Sequence, residues 1–301
     1  MFDFAPSPPA TALPLQQSPL FADALTAVGV NAISHVLPGG RALVIRRRWP
    51  GIGTVGLISR GPVWTGRRNP QALAGLRRAL GIRHLIVNAD DAADAAALRQ
   101  AGFLRIAAPR EVAELSLLGP REAWWASMSV KWRNRLRHGQ KSGLVVTQNA
   151  FRPDPAHWLL SEDIAQQKRL NFRALPHAVT LAMASALPGA AQLFTARAAG
   201  RPVAAMLFLC HGPVASYHIG WSSDIGRANS AHNLLLWQAM QSLSAAGHQR
   251  IDLGAHNPDD APGLARFKRG SGARTRPLGG TWACSAALGP VQSIAEWWHK
   301  T

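Results

Sequence analysis

Two stretches, Leu73–Phe103 (LAGLRRALGIRHLIVNADDAADAAALRQAGF) and Leu236–Lys268 (LWQAMQSLSAAGHQRIDLGAHNPDDAPGLARFK), pass through the same stages in the same order. Each opens with apolar residues at helical spacing and stops at a glycine, Gly81 or Gly247. Each then enters a short apolar run, crosses an acidic loop and ends in a short helical segment with an arginine and an aromatic residue. A glycine directly after a periodic segment is a helix stop. A short apolar run bounded by turn residues suits a buried strand. The succession therefore predicts a structural duplication. Each copy is expected to be a mixed α/β unit, with strands first and βα crossovers later.

Working outward, RALVIRRRW (41–49) and GTVGLISRG (53–61) have strand character on either side of the turn PGIG. Leu20–Val30 suits a short helix, and Asn69 before Pro70 is a helix start. VAELSLL (112–118) is a strand that closes the first unit. In the second half, residues 191–222 hold two or three strands around glycine turns, and Ser230 is placed to cap the helix that ends at Gly247. RIDLGA (250–255) is a strand, and RPLGGTWACS (276–285) closes the unit as another. The expected organisation is a flexible proline-rich arm (1–19), a first unit (20–118), a second unit (119–285) and a tail (286–301). A basic helix (121–142) begins the second unit. Trp125, Met128, Trp132 and Leu136 mark its apolar face, while Lys131, Arg133, Arg135, Arg137 and Lys141 cover the rest. Like charges at i,i+4 spacing repel, so this helix is expected to meet something anionic.

The 301 residues are enough for one large domain or two ordinary ones. The formal net charge of +17 favours polyanions or phosphorylated ligands, although an arginine- and alanine-rich composition accounts for part of it. The two cysteines, Cys210 and Cys284, lie in apolar runs without metal-ligand spacing, so no metal site is expected. The N-terminus lacks a basic leader region, and no apolar run reaches the ~18 residues of a spanning helix. The expected location is the cytoplasm, with peripheral contact at the inner face of the membrane as a further reading. In that reading Trp297 and Trp298 of IAEWWHKT lie at the interface.

GLISRGPVW (56–64), residues 114–146 and residues 234–272 taken together resemble the FemABX family, a branch of the GNAT acyltransferase superfamily. The features that match are the Arg-Gly-Pro turn, the basic helix with its lysine-x-arginine core, and the Phe-Lys pair near the end. The resemblance spans about residues 20–285. It implies an α/β (α+β) fold of two tandem GNAT-like domains, each a mixed central sheet flanked by helices. It also implies amide-bond formation between an activated acyl or aminoacyl donor and an amine acceptor, a cell-envelope precursor in the best-known branch. The donor is aminoacyl-tRNA or acyl-CoA, used as a cosubstrate; no cofactor is permanently bound. The first domain would serve the acceptor and the second the donor and the chemistry. The rival expectation is a degenerate GNAT pair that binds RNA or an anionic surface.

Amine attack on an ester or thioester places negative charge on the carbonyl oxygen and leaves a proton to be lost. Lysine is scarce, with five against 28 arginines. Lys268, in the stretch GLARFKRGSG (263–272), supplies a compact charge with rotatable donors that arginine does not duplicate. By resemblance, Phe267 and Lys268 sit at the donor end, with Lys268 stabilising the transition state. Asp252, His256 and His218 are the candidates for proton transfer. Gly226, Arg227, Asn229 and Ser230, at the mouth of the main second-unit helix, are candidates for the donor's phosphates, together with Lys131, Arg133 and Arg137. Gly226 is the loop's only glycine, short of the usual acyl-CoA loop, and this favours a tRNA-like donor. Arg60 and Tyr217 are the candidates for the acceptor.

Overall fold

The computed structural model describes residues 12–259 and 261–286. The first eleven residues of the expected arm, Asp260 of the acidic loop and the tail from 287, with Trp297 and Trp298, lie outside the described residues. In chain order the strands are β1 (Ala32–Leu37), β2 (Gly40–Trp49), β3 (Gly53–Ser59), β4 (Val63–Trp64), β5 (His84–Ala89), β6 (Leu104–Ala107) and β7 (Glu111–Ser116), then β8 (Val145–Ala150), β9 (Ala191–Ala198), β10 (Arg201–His211), β11 (Val214–Ser222), β12 (Arg250–His256), β13 (Arg274–Pro277) and β14 (Gly280–Ser285). The helices are α1 (Pro19–Ala27), α2 (Pro70–Ala79), α3 (Ala92–Gln100), α4 (Arg121–Ser127), α5 (Val130–Lys141), α6 (Trp158–Leu170), α7 (His177–Ala186), α8 (Asp224–Ala228), α9 (Ala231–Ala245) and α10 (Pro262–Gly270).

The strands form two mixed seven-stranded sheets. The first runs β1-β2-β3-β5-β14-β6, with β4 on β2; the second runs β13-β7-β12-β11-β10-β9-β8. The duplicated stretches supply matching parts: α2, β5 and α3 in one sheet, α9, β12 and α10 in the other. The two sheets exchange a strand. VAELSLL forms β7, but β7 lies between β12 and β13 of the second sheet, not at the close of the first. TWACS in turn forms β14, which returns to the first sheet between β5 and β6. The expected units 20–118 and 119–285 thus differ from the sheets by one strand each. Strand character is local, but pairing is a tertiary choice that short apolar runs do not encode.

The second sheet is covered on both faces. Trp124, Met128, Trp132, Leu136 and the apolar side of α9 pack on one; Phe21, Leu159, Met183 and Ile219 belong to the cluster on the other, which also takes in Leu43 of β2. The expected arm is docked where it is described. Leu13 and Leu15 are buried, and Gln17 accepts from Leu43 N and donates to Ser59 O, both at 2.8 Å. The basic helix is two helices, because Ser129 leaves the helical conformation and its hydroxyl caps α5 by accepting from Trp132 N. Ser230 fails as the cap of α9: its φ is +53° and its side chain makes no capping bond. Asn69 does cap α2, accepting from Ala72 N at 3.0 Å.

Candidate active site

The site begins with a break in parallel pairing. In the first sheet β3 and β5 pair over five consecutive residues, Val55–Ser59 against His84–Asn88. Their counterparts in the second sheet, β11 and β12, pair over only three, Val214–Ser216 against Arg250–Asp252, and then part. Two local irregularities drive them apart. On β11, His218 is the extra residue of a bulge between Leu207 and Phe208 of β10, so Tyr217 and Ile219 face opposite sides of the sheet. On β12, Gly254 adopts φ +75° and the register with β7 shifts between Asp252 and Ala255. Beyond Asp252 the strands open a slot in which main-chain groups of 253–256 have no β11 partner. The first unit is closed at the equivalent place, so the slot belongs to the second unit.

Lys268 stands at this slot. The sequence places it in a pliable glycine stretch; the structure places it inside α10, where its side chain is only 4% exposed. Its Nζ donates to Ala255 O at 2.7 Å, beside the bulge. Burial pushes the ammonium down, partly opposed by the negative charge of Asp252, to about 8. Gly270 and Gly272 serve close packing: a Cβ on Gly270 would come within 3.0 Å of the Trp132 ring, and one on Gly272 within 2.2 Å of Ser127 Oγ. Phe267 packs on Trp132 at 6.0 Å between centroids and near His232 at 6.2 Å, which ties α10 to α5.

Of the three candidates for proton transfer, the structure brings two near Lys268. Asp252 is buried on β12, accepts from Gly254 N at 2.7 Å and pairs with Arg60. Burial pushes its carboxyl up, but the Arg60 guanidinium and the Gly254 N–H outweigh that and hold it below the usual range. An ionised carboxylate locked to an arginine is a poor proton acceptor. His256 is buried at the end of β12, its Nε2 3.1 Å from the Arg269 guanidinium. Arg269 can only donate, so Nε2 accepts and the proton sits on Nδ1. Nδ1 has no partner among the described residues. His218 is a correction. Its Nε2 lies 2.7 Å from Thr180 Oγ1 of α7, on the sheet face opposite α5 and α9, and burial lowers it to about 4. The bulge turns it away from Phe267 and α10.

The acceptor candidates also separate. Arg60 is spoken for: its Nε bonds Asp90 at 2.7 Å, and its terminal nitrogens bond Asp252 and, at 3.4 Å, Glu114. Little is left to hold an anionic acceptor. Tyr217 lies in the second unit on Phe208, its hydroxyl over Gly220, where a Cβ would stand 1.6 Å away. Burial pushes its phenol up. It flanks the slot and is remote in sequence and sheet from Arg60.

The expected phosphate loop is likewise occupied by itself. Gly226 lies within α8, its N–H accepted by Ser223 Oγ, and a Cβ there would stand 2.2 Å from Val203 O. Its smallness serves that approach. Arg227 bonds Ser222 O and Asp224, and Asn229 Nδ2 donates to Ile225 O at 2.9 Å. The positive charge gathers elsewhere. A cleft of about 510 Å³ between α5, α9 and α10 is lined by Lys131, Arg135, Arg266 and Arg269 around Trp132 and Phe267. Asn233 and Trp132 also line it, and their buried Nδ2 and Nε1 have no partner among the described residues; such unpaired buried donors are uncommon. Arg133 and Arg137 turn away, Arg133 to Trp125 O and Arg137 over the Trp125 ring at 5.2 Å. The helical period held this answer: Lys131 and Arg135 are one turn apart on one face, as are Arg133 and Arg137 on another. Arg266 and Arg269 were the residues missed, and their i,i+3 spacing on α10 was the signal.

Two mixed sheets in tandem flanked by helices, one with a splayed parallel pair, are the arrangement of tandem GNAT-like domains. Residues 127–269 match the family model described as an acetyltransferase (GNAT) domain. Among solved structures, the chain is similar to FemX at 15% identity and a TM-score of 0.73, over 93% of this chain and 96% of that one. It is also similar to the C-terminal domain of a putative lysylphosphatidylglycerol synthetase from Agrobacterium fabrum (16% identity, TM-score 0.56, 93% and 91% covered). The L-PGS from Bacillus licheniformis matches at 13% identity and a TM-score of 0.56, with 95% and 97% covered. No curated protein matches the chain by sequence. Residues 127–269 thus carry the match to a GNAT acetyltransferase domain, and the fold of the chain is similar to that of FemX. No group of three or more histidine, cysteine or acidic residues able to hold a metal, and no helix long and apolar enough to cross a membrane, occurs among the described residues.

Proposed function

We propose that the protein is an N-acyltransferase that moves an activated acyl or aminoacyl group from a phosphate-bearing donor onto an amine. The donor's phosphates lie in the cleft of Lys131, Arg135, Arg266 and Arg269, and its acyl group reaches the slot between β11 and β12. The amine nitrogen attacks the carbonyl carbon, forming the C–N bond and placing charge on the oxygen. The Lys268 ammonium stabilises that oxygen and then the departing oxygen or sulfur. The C–O or C–S bond breaks, the nitrogen loses its proton, and the leaving group departs as a hydroxyl or thiol. At pH 7 a group titrating near 8 is about ten parts charged to one neutral, so Lys268 acts as a cation.

The observation that carries this reading is the position of the basic cleft: Phe267 and Arg269, on either side of Lys268, line it. The self-bonded loop at 226–230 offers a CoA pyrophosphate little, and four cations on two helices suit an extended polyanion, so aminoacyl-tRNA is the favoured donor. The acceptor is an amine; the similarity to FemX and to lysylphosphatidylglycerol synthetases keeps a cell-envelope precursor as the leading class. Titration with charged tRNA and, separately, acetyl-CoA at two salt concentrations tests the donor. Charged tRNA is expected to bind with a steep salt dependence. The double variant Arg135→Glu, Arg266→Glu should weaken it at least tenfold, whereas Arg133→Glu, Arg137→Glu should cost much less. Saturable acetyl-CoA binding with no tRNA binding would replace this donor by acyl-CoA. Tight tRNA binding without transfer to any amine would leave an RNA-binding protein.

A further inference from the structure

Arg60 belongs to the first sheet's side of the molecule, yet it reaches the chemistry of the second. It follows β3 in a left-handed conformation, φ +52°, which a non-glycine residue adopts only where its surroundings enforce it. Its guanidinium joins Asp90, from the loop after β5, to Asp252 on β12 and Glu114 on β7. Arg276 of β13 braces the same group, bonding Asp90 at 2.9 Å and Glu114 at 3.2 Å, and Arg250 stands 3.7 Å from Glu114. Among the described residues, Arg60 is the ion-pair partner of Asp252. Asp252 Oδ1 accepts from Gly254 N, one residue before the Ala255 carbonyl that accepts from Lys268 Nζ, and from there its charge acts on the lysine. His211, bonded to Ser216 on β11, is the remaining titratable group under the influence of Asp252; burial keeps it neutral, near 4.

We propose that Arg60 is a positioning residue for Lys268 across the two units: by engaging Asp252 it keeps that carboxylate from pairing with the lysine, and so leaves the Lys268 ammonium free for the acyl oxygen. The inference rests on Lys268 acting in the transfer. A buried carboxylate must have a positive partner. With Arg60 in place Asp252 has one, and Lys268 Nζ rests on the neutral Ala255 carbonyl instead. Without Arg60 the cations left to Asp252 are Arg250, which already faces Glu114 at 3.7 Å, and Lys268, and an ammonium tied to a carboxylate is both mispositioned and partly neutralised. The acceptor-side unit thereby conditions the donor-side chemistry, and Arg60 does so without touching either substrate.

The test follows lysine side-chain resonances in protein labelled at lysine, where five lysines make a simple spectrum and Lys268→Met identifies the signal. In the wild type the Lys268 midpoint is expected at about 8. Arg60→Met is expected to raise that midpoint by at least one pH unit and to move the alkaline limb of kcat/KM by the same amount. Arg60→Lys, which restores the charge, should return most of the shift. Adding Asp252→Asn should remove the effect of Arg60→Met. Asp252→Asn alone, which keeps Arg60 and serves if Arg60→Met does not fold, should lower the Lys268 midpoint. An unmoved midpoint in Arg60→Met or in Asp252→Asn, or a shift of equal size with and without Asp252, overturns the proposal. If Lys268→Met transfers at the wild-type rate, the catalytic role of Lys268 fails while the titration still reports whether Arg60 and Lys268 are coupled.

Discussion

Lys268→Met lowers kcat by about 10²–10³-fold, the loss that follows removal of one preorganised donor from a developing oxyanion, and leaves donor affinity within about twofold. Methionine keeps the length and apolar stem of the side chain in a site that is almost wholly buried, so the change isolates the Nζ group. The bond lost in the resting protein, Nζ to Ala255 O, leaves one carbonyl unpaired at the open edge of β12. Stability therefore falls by no more than an ordinary hydrogen bond, about 1 kcal/mol. Donor affinity survives because the cleft cations lie on α5 and on other residues of α10. The pH dependence carries the sign. Burial holds the Lys268 ammonium near 8, and it acts as the charged form. Wild-type transfer falls as pH rises through 8, and the methionine variant lacks that limb. Lys268→Arg does not rescue, because a planar guanidinium cannot occupy a space shaped for an ammonium against a carbonyl. Rapid-quench measurement of single turnovers with bound donor separates the chemical step from binding; undiminished single-turnover transfer in Lys268→Met would remove the lysine from the mechanism.

Much of this candidate site is legible in the sequence, because its parts are local. The scarcity of lysine, the Phe-Lys pair and the aspartate of RIDLGA all lie within the second copy of the duplicated stretch, and the structure puts them within one α10–β12 layer. What the sequence hid was tertiary. His218 belongs to β11 as expected, but a single bulge residue turns it to the face of α7, and no periodicity count reveals a one-residue slip. Arg60 looked like a cleft arginine awaiting a substrate anion. Its three carboxylate partners come from residues 30, 54 and 192 positions away in sequence, so its pairing could not be read locally. The helix is basic as its composition implies, but its charges divide between two faces. Counting charges along α5 treated Arg133 and Arg137 as equal to Lys131 and Arg135, where the 3.6-residue period separates them. The loop at 226–230 carried glycine, arginine and asparagine for reasons internal to itself: a tight approach to Val203 and bonds within α8.

The strand exchange has the largest consequence for stability. Fragments cut at the boundary the sequence suggests, 1–118 and 119–301, do not fold separately, and together in one solution they recover native circular dichroism and donor binding. The reason lies in where the exchanged strands sit. β14 is paired on both sides, with β5 and β6, and β7 likewise with β12 and β13. Fragment 1–118 therefore loses an inner strand, which leaves the edge of β5 open and strands β6, whose only place in the sheet is against β14. Fragment 119–301 loses β7, and β13 goes with it for the same reason. Each fragment also carries the other's missing strand, unpaired, with exposed donors and acceptors that favour aggregation. The same exchange makes unfolding of the whole chain a single event. Trp282 of β14 is buried among Leu73, Leu76 and Leu98 and donates to Gly279 O at 2.9 Å, and Trp282→Ala costs about 3–5 kcal/mol. Although Trp282 packs only in the first unit, its loss lowers the melting temperature of both units together, read by near-ultraviolet circular dichroism of the tryptophans on α4 and α5. Two separated transitions, or a 1–118 fragment that unfolds cooperatively on its own, would mean that each unit folds without its neighbour's strand. The exchange would then be a late docking step, and the continuity from Arg60 through Asp252 to Lys268 would have to be held by ion pairs alone.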